Sequence, residues 1–118
     1  MKALAIAVVS VALLAGCGGS QAQPAGSIKV SLSEFKFEPA AITAPSGKVV
    51  FYLVNAGSQA HNLIIFDGAK HKVKASELVA AGDASIFTLD SIAAGSYTFI
   101  CDQQGHEASG MKGTLTIT

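Results

Sequence analysis

The 118-residue sequence has no arginine and no tryptophan, and only two cysteines, two methionines, three histidines and three prolines. Eight lysines face eight Asp and Glu residues, so the formal net charge is zero and charged residues make up only 14%. A sequence-blind grip on DNA or RNA needs excess cation to release counterions, and this chain has none to offer. Twelve glycines and three prolines, without period, exclude a collagen-like fibre. A composition that is 50% hydrophobic excludes wholesale disorder. The length suits one domain.

The apolar excess is concentrated at the start. Lys2 supplies a positive flank, and residues 3–15 form an apolar stretch interrupted only by Ser10. A spanning helix needs about 20 residues, so this stretch suits the apolar part of a secretion signal instead. It ends in Leu14-Ala15-Gly16-Cys17, which resembles the lipobox of bacterial-type lipoproteins. That resemblance implies cleavage of residues 1–16 and acylation of Cys17. An ordinary signal cut elsewhere would leave Cys17 as a free thiol or a disulfide partner. Residues 17–27 then read as the lipidated Cys and a flexible tether, since residues 18–27 hold neither charge nor large apolar side chains. The expected location is outside the cytoplasmic membrane, anchored at its surface.

With residues 1–16 removed, 102 residues remain, with seven lysines against eight acids. From residue 28 the pattern changes. Ile28, Val30 and Leu32 alternate with Lys29 and Ser31, the period of a half-buried strand. Residues 48–54, 62–66, 85–89, 96–101 and 113–118 are further short runs rich in β-branched and aromatic residues. Turn signals at residues 45–47, 55–57, 67–68 and 94–95 separate them. Strands at this spacing predict an antiparallel sandwich over residues 28–118. Residues 69–82 break the pattern and read either as one helical turn or as a long loop.

The chemistry lies in residues 101–111, where Cys101, His106 and Met111 are spaced C-x4-H-x4-M between two predicted strands. One loop can therefore fold a thiolate, an imidazole and a thioether around one point. That mixture suits copper, which alternates between a softer and a harder state; two His and one Cys with a distant Met is its electron-transfer arrangement. The second imidazole must come from elsewhere. His61 follows the turn at residues 55–57 and can lie at the same end of a sandwich. His71, in the basic run Lys70-His71-Lys72-x-Lys74, has no ligand companions and reads as a solvated loop. Tyr52 and Tyr97 read as packing residues.

Taken together, Phe35-x-Phe37-x-Pro39, Asn55-x-Gly57, His61-Asn62 and the C-x4-H-x4-M loop resemble the cupredoxins, the plastocyanin and azurin group, with a loop spacing similar to that of the auracyanins. The resemblance implies an all-β, Greek-key β-sandwich of about seven to eight strands with one type 1 copper at its loop-rich end. His61, Cys101 and His106 match the equatorial ligands, Met111 the axial one, and Asn62 a residue that braces the ligand loop. Asp102, Gln103 and Gln104 depart from the usual loop, and a carboxylate beside the thiolate favours Cu(II) unless it points to solvent. Glu107 makes the docking surface beside an exposed ligand histidine less apolar.

The expected function is one-electron transport by a monomer that meets redox donors and acceptors near His106. A periplasmic copper-handling protein is the alternative. One ligand set with only His71 left over is too little for a multicopper enzyme, and a single Cys in the loop excludes a dinuclear centre.

Overall fold

The computed structural model describes residues 21–118. The expected signal at residues 1–16, Cys17 and the first part of the tether lie outside the described residues. Among the described residues nine strands form: β1 (Ile28–Ser33), β2 (Lys36–Glu38), β3 (Ala41–Ala44), β4 (Gly47–Asn55), β5 (Ile64–Phe66), β6 (Lys72–Ala75), β7 (Ala84–Ile92), β8 (Gly95–Ile100) and β9 (Lys112–Ile117). They build two sheets, ordered β2-β1-β4-β7 and β3-β9-β8-β5-β6.

The two-residue period of the sequence becomes the inner faces of these sheets. Val30 and Leu32 of β1, Val49, Phe51 and Leu53 of β4, and Phe87 and Leu89 of β7 point inward from the first sheet. Ile65, Phe99, Leu115 and Ile117 face them from the second. Phe51 stacks on Phe87 with ring centroids 6.0 Å apart, and Phe37 meets Phe99 edge to face at 4.9 Å. At Gly113 a Cβ would run into the Phe99 ring and the Ala40 carbonyl, so only glycine lets β9 start this close to its neighbours.

The all-β sandwich agrees with the sequence reading, with three differences. Pairing is not wholly antiparallel: β1 runs parallel to β4, and β3 parallel to β9. Residues 69–82 form no helix, but hold β6 against β5 and then a loop whose Val79 bridges back to His61. Residues 21–27 are less free than a tether, because the Tyr52 hydroxyl donates to the Gln21 carbonyl at 2.6 Å and Ser27 closes a turn on Pro24.

At one open side of the sandwich, β6 ends the second sheet and β7 ends the first. All four β6 residues are exposed, and Lys74 donates from Nζ to the Thr88 carbonyl of β7 at 2.7 Å.

Candidate metal centre

Four side chains meet at one end of the sandwich. Cys101 directly follows β8, and the chain then winds through residues 102–111 before β9. Gly105 and Gly110 adopt φ of 81° and 109°, a region that residues with a Cβ rarely enter. Backbone bonds close this loop: Met111 N–H donates to the His106 carbonyl at 3.0 Å, and Cys101 N–H to the Met111 carbonyl at 3.2 Å. Three expected ligands are thus tied together through main chain. His61 arrives on the segment that enters β5, the neighbour of β8 in the same sheet, and is held by reciprocal backbone bonds with Val79 at 3.1 and 2.8 Å.

Cys101 Sγ lies 3.5 Å from His106 Nδ1 and 4.0 Å from His61 Nδ1, and the two Nδ1 atoms are 3.2 Å apart. A triangle with these sides has a centre about 2.1 Å from each corner, the reach of a metal–imidazole bond. Cys101, His61 and Met111 are wholly buried, and His106 is only 6% exposed.

The outward nitrogens fix which atoms face this centre. His61 Nε2 lies 3.3 Å from Glu34 Oε1, and His106 Nε2 lies 3.0 Å from Gln59 Oε1. Both oxygens are acceptors, so each Nε2 carries the proton and each Nδ1 keeps its lone pair directed inward. Burial pushes the His61 pKa down, which keeps the ring neutral despite the opposing pull of Glu34. The Glu34 carboxyl is itself held at about 2, first by the Gln59 amide and also by the Ser58 amide and His61. Two imidazoles, a thiol and a thioether make the donor set of a type 1 copper site.

Asn62 and Asp102 are also brought together. Asn62 Nδ2 donates to Asp102 Oδ1 at 2.7 Å, and the Asp102 amide donates back to Asn62 Oδ1 at 3.1 Å. The Asp102 side chain is exposed and shares its charge with Asn62 and Gln103. His106 is less open than an exposed histidine, because Gln59 covers its Nε2 and Phe35 packs edge-on at 5.1 Å between ring centroids. His71 stands apart in the exposed β5–β6 turn, 3.4 Å from Asp67. Among the described residues Cys101 carries no disulfide. The sequence reading missed Glu34 and Gln59: they reach the histidine rings from 27 and 47 residues away, and no local spacing marks such contacts.

A model of the "Cupredoxin-like domain" family matches residues 4–117. The plastocyanin of Scenedesmus fuscus is 36% identical over 89 residues, covering 69% of this chain and 85% of its own. Among solved structures, the dithionite-reduced auracyanin of Roseiflexus castenholzii superposes with a TM-score of 0.71 at 23% identity, over 85% of this chain and 99% of that one. Auracyanin A of Chloroflexus aurantiacus, described as a "blue" copper protein, gives 0.66 at 19% identity, over 79% and 100%. At these identities the two auracyanins bear on the fold alone.

Proposed function

The chain belongs to the family of cupredoxin-like domains, and from this premise we propose that the protein is a one-electron carrier held at a membrane surface by a lipid on Cys17. Proteins of this family are copper electron carriers, and the cofactor is one copper ion. In our reading His61, Cys101, His106 and Met111 would hold it. The observation that carries this reading is the convergence of two Nδ1 atoms and Sγ within 3.2 to 4.0 Å in a buried site. Copper supplies the one-electron change between Cu(I) and Cu(II).

The protein's own residues supply rigidity and access. His61 is pinned at the edge of its ring by Glu34 and at its main chain by the Val79 bridge. Loop 102–111 is pinned by its backbone bonds and by the Asn62–Asp102 pair. Ligands held this way rearrange little when the charge between them changes. His106 is the ligand nearest the surface, beneath Gln59 and beside Phe35, so redox partners dock there. The family's members are electron carriers, and in our reading the protein acts as a carrier, not an enzyme. Buried ligands favour retention of the ion over its delivery, which speaks against copper handling. The run ending in Cys17 supports secretion and anchoring, and the neutral balance of charges speaks against nucleic-acid binding.

Loading the purified chain with Cu(II) is expected to give an intense visible thiolate-to-copper band that reduction bleaches reversibly. Cys101→Ser is expected to abolish it. Absence of the band in the wild type, or its survival in the variant, overturns the carrier reading. Radiolabelled fatty acid is expected to enter the wild type and not Cys17→Ala.

A further inference from the structure

The tip of the β1–β2 hairpin is two residues long, Glu34 and Phe35, and both touch the metal centre from outside without belonging to the donor set. Glu34 Oε1 accepts from the Ser58 and Gln59 amides, each at 2.8 Å, and from His61 Nε2 at 3.3 Å. One oxygen thus fixes a ligand ring and the segment before it. That segment carries Gln59, whose Oε1 accepts from His106 Nε2. Glycine at position 57 makes room for this contact: a Cβ there would lie 2.6 and 2.8 Å from the two Glu34 carboxylate oxygens. The carboxylate is mostly shielded from water, its side chain being 27% exposed.

We propose that Glu34 is the positioning residue of the copper centre, orienting His61 directly and His106 through Gln59, and that its negative charge biases bound copper toward Cu(II). The proposal rests on the copper reading above. A carboxylate behind a ligand imidazole fixes the ring and raises its basicity, and a nearby negative charge stabilises the more positive ion. Asp102, the carboxylate adjacent to Cys101 in sequence, is the weaker candidate because its charge is exposed and shared. Glu34 faces the ring it acts on.

The test compares wild type, Glu34→Gln, Glu34→Ala, Gly57→Ala and, as a control for net charge, Glu38→Gln, which removes an exposed carboxylate paired with Lys36. Each full chain is copper-loaded and its potential read from the visible band. Each apo form is examined by NMR for exchange of the His61 Nε2 proton and of the Ser58 and Gln59 amides.

Glu34→Gln keeps an oxygen for the amides and loses the charge. It is expected to retain amide protection while the preference for Cu(II) over Cu(I) falls about tenfold, an upward shift of about 59 mV. Glu34→Ala, and Gly57→Ala by pushing the carboxylate aside, are expected to shift the potential the same way and to speed amide exchange at least about tenfold. A Glu34→Gln shift no larger than that of Glu38→Gln overturns the charge bias. Unchanged exchange of the His61 proton and the two amides in Glu34→Ala overturns the positioning role. If wild type gives no visible band, the copper reading fails and the charge bias with it; the apo spectra then decide the positioning role separately.

Discussion

Asn55 is 1% exposed, and its side chain ties the segment that leads to His61 to the Val79 loop. Its Nδ2 donates to the Gln59 carbonyl at 2.7 Å and to the Val79 carbonyl at 2.9 Å, while its Oδ1 accepts from the Gly57 amide at 2.9 Å. Asn55→Ala would strand these groups, and unpaired buried polar groups cost about 1–3 kcal/mol. The expected result is a lower denaturation midpoint with an unchanged slope. Glu34 governs a pH response on the same segment. Its folded value of about 2 lies below its ordinary 4.5, so its contribution is complete above pH 4.5 and disappears as pH falls toward 2. Thermal melts of the apo protein across that window should fall more steeply for wild type than for Glu34→Gln. A parallel fall in both would mean that other carboxylates dominate.

Among the strands, legibility followed burial. β1 and β4 alternate between core and solvent, so their period is visible in the sequence. β6 has no buried face: Lys72-Val73-Lys74-Ala75 alternates over only four residues with one large apolar side chain, and its pairing with β5 makes it a strand. β2 and β3 have three and four residues, too few to establish a period. The parallel pairs were hidden because strand direction depends on crossovers between sheets, which alternation does not encode. The site divides in the same way. Cys101, His106 and Met111 lie on one loop and are legible by spacing; Glu34 and Gln59 depend on where a hairpin tip lands after folding. The Asn62–Asp102 pair joins the strand-entry segment of β5 to the ligand loop. Asn62→Ala should leave the visible band in place but lower copper affinity about 10- to 100-fold, as loss of outer support does at other metal sites. Competition with a graded chelator series would measure this, and equal retention by both proteins would contradict it.

For the whole molecule, a core running the length of both sheets makes the fold largely independent of its ion. Removing copper is expected to lower the melting temperature while preserving the β-type far-ultraviolet spectrum. At a free-ion level a thousandfold above Kd, the stabilisation from binding is about 4 kcal/mol. A coil-like apo spectrum would show instead that the metal organises the sandwich.

The Lys74 bond to Thr88 bears on how copies of the chain meet one another. β7 is a nine-residue edge strand with the partly exposed Ile86 on its surface, the kind of border that recruits a further strand from a neighbour. An ammonium group already occupies one of its carbonyls, and an incoming chain would have to displace it and strip its water. A single lysine side chain thereby discourages polymerisation, and it acts from the opposite sheet. Chains crowded side by side can collide along this border without fusing into a continuous sheet.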